Sequence, residues 1–129
     1  MLANHDLLNP LMLQALAGAG HGDLVVVADA GLPLMGCASI DLSLTPGVPS
    51  FLEVARVVRR ALCAESAIIA NESQLQPFHD DLLSLIAPLP IEYIPHDGFK
   101  ARMGAAAVII RTGECVPYSN VAFVAGTTF

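Results

Sequence analysis

The sequence has few charged residues and very few cations. Only 14% of its 129 residues are Asp, Glu, Lys or Arg, and six Lys and Arg stand against twelve Asp and Glu, for a net charge of -6. Nucleic-acid binding depends on clustered cations, so this balance argues against a partner with a phosphate backbone. The basic cluster that does occur, Arg56, Arg59 and Arg60, has the spacing of a solvent-facing helix surface.

Cysteine is scarce, and its three positions, Cys37, Cys63 and Cys115, lie far apart. An odd number without a Cys-x-x-Cys pair predicts neither a disulfide framework nor a zinc site, so we expect three reduced thiols. The four histidines include no pair spaced for one helical face, and a metal site is therefore not predicted.

Long hydrophobic runs are also absent, since no apolar stretch reaches the roughly 20 residues of a membrane-spanning helix. Residues 1–6 lack the basic, apolar and small-residue regions of a signal peptide, and we expect no membrane association and a cytoplasmic location. Hydrophobic residues nevertheless make up 54% of the chain. A single domain with so little charge is expected to cover part of its surface by self-association into a homo-oligomer.

The patterns that are present predict one domain, residues 1–129, in which helices and strands alternate. Asn9-Pro10 starts a helix that ends near residues 18–20, and the capping box Ser50 to Glu53 opens a second helix that ends near Leu62. Further helical segments are expected at 78–87 and 96–103, and strands at 24–28, 39–44, 67–70, 91–94, 105–110 and 121–124. This order predicts an α/β fold, a three-layer sandwich with a mixed, mainly parallel sheet flanked by helices.

Two placements of polar residues indicate a site. His21 lies between two glycines, and Asp29 ends an apolar strand, where a polar group near the core must find partners. Residues 18–22 are glycine-rich, but they follow a helix and precede a strand, the reverse of a dinucleotide-binding fingerprint. A helix C-cap explains those glycines better. Taken singly, His21, Asp29 and the later His96, Tyr118 and Asn120 also fit ordinary structural or turn residues.

Taken together, stretches along nearly the whole chain resemble the D-ribose pyranase family, small sugar-anomer isomerases related to the fucose mutarotases. The matching stretches, in order, are Gly20-His21, Asp29–Pro33, Ile40–Leu42, Gly47–Phe51, Ala67–Ala70, His96 with Phe99-Lys100, Ile110–Cys115, Pro117-Tyr118 with Asn120, and Ala125-Gly126 with Thr128-Phe129. The fucose mutarotase branch differs in lacking Gly-Leu-Pro after its aspartate and in its equivalent of His96. The ribose branch is therefore the better match.

The resemblance implies a cofactor-independent isomerase that converts the six-membered ring of β-D-ribose to the five-membered form. It also implies a ring-shaped homo-oligomer, a decamer. His21 matches the family's proton-donating histidine. The positions that match or lie among the family's sugar-contacting residues are Asp29, His96, Tyr118, Ser119 and Asn120. An L-fucose-type mutarotase and a non-enzymatic sugar-binding accessory protein remain open as alternatives.

The spacing between His21 and Asp29 adds a geometric expectation. If residues 24–28 are extended, they separate the two side chains by at least about 13 Å, too far for one small sugar to touch both. We therefore predict a composite site, with part of it supplied by a neighbouring subunit. The alternative is a sharp bend in the chain between the two residues.

Overall fold

The computed structural model describes residues 1–3 and 6–129. The helices in these ranges are α1 (Pro10–Gly18), α2 (Phe51–Ala61), α3 (His79–Ile86) and α4 (His96–Met103), with a short 3₁₀ helix at Asn71–Leu75. The strands are β1 (Leu24–Ala28), β2 (Ser39–Asp41), β3 (Ala64–Ala70), β4 (Ile91–Ile94), β5 (Val108–Arg111) and β6 (Val121–Ala125). Within the described residues, no helix is both long enough and apolar enough to cross a membrane.

The strands form one six-stranded sheet in the order β2-β5-β1-β6-β3-β4. The β2-β5, β5-β1 and β3-β4 pairs are parallel, whereas β6 runs antiparallel to both of its neighbours, β1 and β3. The carboxyl ends of five strands therefore lie at one edge of the sheet, together with the start of β6. We call this the carboxyl edge, and the opposite one the amino edge.

Helices cover both faces of the sheet. On one face Val25 and Val27 pack into a core with the buried residues of α1, α2 and α3. On the other, Val26 packs with Phe99 and Met103 of α4 and with Leu32. Consecutive residues of β1 thus serve different cores, as alternation along a strand requires. The predicted α/β sandwich with a mixed, mainly parallel sheet is confirmed.

The predicted capping signals are also confirmed. The Asn9 side chain accepts hydrogen bonds from the backbone N–H groups of Leu11 and Met12, and Pro10 is the first residue of α1. Ser50 and Glu53 form the reciprocal capping box of α2. These bonds satisfy donors that the first helical turn leaves free, which is why both helices begin where the sequence predicts.

Some strand ends differ from the prediction. β2 stops at Asp41 rather than continuing to Leu44, because the Asp41 carboxylate accepts bonds from the backbone and hydroxyl of Ser43 and turns the chain. β5 starts at Val108 rather than Ala105, because residues 105 and 106 donate back to the end of α4. β3 begins earlier than predicted, at Ala64, and its first residues pair with the end of β6.

Candidate functional site

Asp29 and Asn120 lie at the carboxyl edge and hold each other. The Asp29 backbone N–H donates to Asn120 Oδ1, and Asn120 Nδ2 donates to Asp29 Oδ2, both at 2.9 Å. The other carboxylate oxygen accepts the N–H of Gly31 at 2.9 Å. Asn120 is fully buried and Asp29 is half-buried. The carboxylate is thereby fixed in position with part of its surface accessible.

His96 and Tyr118 form a second pair at the same edge. Their ring centroids are 5.0 Å apart and the rings are nearly perpendicular, at 82°. His96 is the first residue of α4, and its backbone N–H donates to the Glu72 carboxylate at 2.9 Å. Among the described residues, His96 Nδ1 is buried without a hydrogen-bond partner. That nitrogen is a polar group for which the fold alone supplies no partner.

The turn that carries Tyr118 is strained at that residue. Tyr118 has φ +64°, in the left-handed region that a bulky side chain rarely adopts. Ser119 is fully buried, and its hydroxyl donates to the Val116 carbonyl at 2.8 Å, while the Asn120 N–H donates to the Tyr118 carbonyl. Ser119 thus shapes the turn, and its predicted contact with a sugar stays a prediction.

Two residues of the matching stretch Ile110–Cys115, to which the sequence analysis assigns no individual role, hold this turn against the rest of the fold. The Glu114 carboxylate accepts backbone N–H groups from Cys115 and Val116 and from Phe51 at the start of α2. The buried Thr112 hydroxyl donates to a β1 carbonyl at 2.8 Å and accepts the Glu114 N–H. Nothing in the sequence flags the bonds from Phe51 and to the β1 carbonyl, because these two join segments that are distant in the chain.

Arg111 braces the segment that follows Asp29. Its guanidinium donates to the Leu32 carbonyl at 3.2 Å and lies 3.5 Å from the Asp41 carboxylate. The pKa of Asp41 is lowered by its hydrogen bonds from the Ser43 hydroxyl and backbone, and further by the charge of Arg111. The bends after β1 and β2 are therefore tied together at the carboxyl edge.

His21 lies at the opposite, amino edge, in the turn between α1 and β1. Its side chain is 62% exposed, and Nε2 lies 3.0 Å from Glu65 Oε2. The turn is held by the Gly20 N–H donating to the Asp23 carboxylate, and by the Gly22 N–H donating to a carbonyl at the end of β6. Gly22 has φ +86°, which a side chain would strain.

The structure therefore brings Asp29, His96, Tyr118, Ser119 and Asn120 to one edge of the sheet, and it places His21 at the other. β1 runs between the two edges and is hydrogen-bonded on both sides, to β5 and β6. The alternative expectation of a sharp bend between His21 and Asp29 is wrong, because residues 24–28 form a regular strand.

A profile of the RbsD / FucU transport protein family matches residues 2–128. The chain belongs to this family. It is 40% identical over 126 residues to the D-ribose pyranase of Symbiobacterium thermophilum and 44% identical over 133 residues to that of Pseudomonas entomophila. Each match covers 95% of this chain and 96% of the relative. The predicted membership of the ribose pyranase and fucose mutarotase group is confirmed.

Solved structures of the family share the fold. RbsD of Bacillus subtilis, solved in complex with D-ribose, superposes with a TM-score of 0.92 at 39% identity, covering 99% of this chain and 100% of that one. The fucose mutarotase of Streptococcus pneumoniae, solved with L-fucose, has a TM-score of 0.80 at 22% identity, covering 99% and 100%. At 22% identity, the similarity to the fucose mutarotase concerns the fold alone.

Proposed function

We propose that this chain is an isomerase that interconverts the pyranose and furanose forms of D-ribose. One observation carries the proposal: a carboxylate, an amide, an imidazole and a phenol are gathered at the carboxyl edge of a chain 39% identical to an RbsD solved with D-ribose. A monosaccharide presents hydroxyl groups on all sides. The Asp29 carboxylate, held by the Asn120 amide, is an acceptor for them, and the His96 imidazole and the Tyr118 phenol can both donate and accept. Asp29, His96, Tyr118, Ser119 and Asn120 form the proposed sugar pocket.

The proposed reaction is acid–base ring opening. A proton is delivered to the ring oxygen of the pyranose, a proton is removed from the anomeric hydroxyl, and a different hydroxyl then closes the furanose ring. Histidine suits this chemistry because an imidazole gives and takes protons near neutral pH, and His21 is the proposed donor. Acid–base catalysis by side chains contributes on the order of 10²–10⁴-fold, and the reaction as proposed uses no cofactor.

The proposed site is shared between subunits. His21 and the sugar pocket lie at opposite edges of one sheet, so one chain cannot place both on a single ribose. A contact between the amino edge of one subunit and the carboxyl edge of the next is a head-to-tail contact. Repeated contacts of this kind form a ring when the rotation from one subunit to the next adds up to a full turn. We propose a ring-shaped homo-oligomer, a decamer, located in the cytoplasm.

Exposed apolar side chains support self-association. Leu8, Leu11, Leu44 and Val48 are large hydrophobic residues that remain exposed in the single chain, Leu44 at 81%. A contact between subunits would remove these apolar side chains from water, which is favourable.

Saturation-transfer NMR on D-ribose at equilibrium tests the proposed function. The protein is expected to accelerate exchange between pyranose and furanose signals, and to do so more strongly for D-ribose than for L-fucose run in parallel. Exchange that is unchanged by the protein, with ribose still shifting protein resonances, would indicate a sugar-binding accessory protein instead. Stronger acceleration with L-fucose would indicate a mutarotase.

A further inference from the structure

Glu65 occupies an irregular position in β3. In the pairing of β3 with β6, Ala64 lies opposite Ala125 and Ser66 lies opposite Val124, which leaves Glu65 as the extra residue of a β-bulge. A bulge breaks the alternation of side chains and re-aims the bulged one, and bulges concentrate near active sites. Regular pairing would have aimed this side chain differently, so its direction is a specific feature of the strand.

The bulge directs Glu65 at His21. Carboxylate Oε2 lies 3.0 Å from His21 Nε2, and the two side chains are 48% and 62% exposed. Among the described residues, no other hydrogen bond or ion pair engages this carboxylate. The carboxylate therefore has no evident role in holding the fold together, and its contact is with the proposed proton donor.

Gly126 leaves room for this arrangement. A Cβ at Gly126 would stand 3.2 Å from Glu65 Cβ and 3.5 Å from Oε2. The backbone of Gly126 is fixed here, because its N–H donates to the Cys63 carbonyl at 2.7 Å. A side chain at this position would press on the carboxylate and its strand.

We propose that Glu65 is the positioning residue for His21, a role that rests on the proposed function. Its carboxylate accepts the hydrogen bond of Nε2–H, which fixes the ring plane and leaves Nδ1 as the nitrogen that exchanges a proton with the sugar of the neighbouring subunit. When the ring carries both protons, the adjacent negative charge stabilises the imidazolium. Glu65 itself does not touch the sugar.

Steady-state exchange kinetics on Glu65 variants of the full protein test this role. Glu65→Ala is expected to lower kcat about 10–100-fold with KM within about two-fold of wild type, because only the proton-transfer step loses support. Glu65→Gln is expected to lower kcat less, about 3–10-fold, because its amide oxygen still accepts from Nε2–H without the charge.

Glu92→Gln is the matched control. Glu92 is also a half-exposed strand glutamate in an ion pair, 2.9 Å from Arg102, and kcat is expected to stay within about two-fold of wild type. Circular dichroism and sedimentation establish that each variant folds and assembles. If Glu65→Ala does not assemble, the kcat of the nearly isosteric Glu65→Gln tests the positioning role.

Two results would overturn the positioning role while the wild type remains active. One is a Glu65 variant whose kcat equals that of Glu92→Gln. The other is a Glu65 variant in which a rise in KM accounts for the whole decrease in kcat/KM. A wild-type protein that does not accelerate ribose exchange would instead overturn the proposed function, and this role with it.

Discussion

The polar side chains at the two edges of the sheet differ in their burial and in their hydrogen bonding. At the carboxyl edge Asn120 is fully buried and bonded to Asp29 within one chain, and His96 packs against Tyr118. At the amino edge the side chains of His21 and Glu65 bond to each other and, within the residues that the structure describes, to no other side chain, and both are about half exposed. The proposed sugar pocket is thus arranged within one chain. In the proposed shared site, by contrast, the proton donor meets a sugar only in the pocket of a second subunit.

The largest expected effect separates the two edges by function. His21→Ala is expected to lower kcat by about 10²–10⁴-fold and to leave ribose binding in place, because the lost group transfers a proton. Asp29→Ala is expected to weaken ribose binding as well, since a fixed acceptor at the pocket is removed. NMR exchange rates and ribose titrations of both variants provide the measurement.

His79→Ala is the control for the histidine change. His79 lies on α3, with Nε2 3.5 Å from the Tyr93 hydroxyl, and we assign it no part in the site. The rate of ribose exchange with the His79→Ala variant should match that with the wild type. Loss of ribose binding in His21→Ala as complete as in Asp29→Ala would contradict the division between the edges.

A smaller effect concerns the rigidity of the carboxyl edge. Asn120→Ala removes both hydrogen bonds between the Asn120 side chain and Asp29, and it leaves the backbone N–H of Asp29 without a partner. The expected cost is about 1–3 kcal/mol in the free energy of unfolding. Urea unfolding measures this cost. Asn71→Ala, an exposed position, is the control and should change stability by less than about 0.5 kcal/mol. Equal stability of the two variants would show that the buried pair is not a rigid anchor.

The parts of this arrangement that could be predicted from sequence are the local ones. The helix caps at Asn9 and Ser50 bond to backbone N–H groups only a few residues away, and the valine-rich β1 is buried on both faces. A short stretch of sequence is therefore enough to predict each of them. The separation of His21 from Asp29 followed from strand length alone.

The parts that could not be predicted depend on pairing across the chain. The bond between Asp29 and Asn120 joins residues 91 apart, and the Glu65 bulge exists only against β6. The anchoring of the Tyr118 turn by Glu114 likewise requires the start of α2 to be in place. The resemblance identified candidate sugar-contacting residues, but it assigned no role to Glu65 or Glu114.

The smallest expected effect is a pH dependence confined to the carboxyl edge. The pKa of Asp41 is lowered below its ordinary value of 3.8 by bonds from Ser43 and by the charge of Arg111. Its contribution to stability is therefore present above pH 3.8 and is lost as the pH falls through the lowered pKa. Because the pair is solvent-screened, Asp41→Asn should cost under about 1 kcal/mol at pH 7.

Urea unfolding of wild type and Asp41→Asn at pH 7 and at about pH 3 checks this, and the difference between the two proteins should shrink at the lower pH. A difference that grows on acidification would contradict the assignment. Ribose exchange at pH 7 should change little, because Asp41 lies outside the proposed sugar pocket.

Mixed oligomers test most directly whether one site draws on two subunits. His21→Ala and Asp29→Ala chains are each expected to be nearly inactive alone. When they are unfolded, mixed in equal amounts and refolded together, about a quarter of the shared sites regain both side chains, and ribose exchange should return to about that fraction of the wild-type rate. Wild-type chains carried through the same procedure control for refolding. Mixed oligomers that form but show no activity would contradict the shared site.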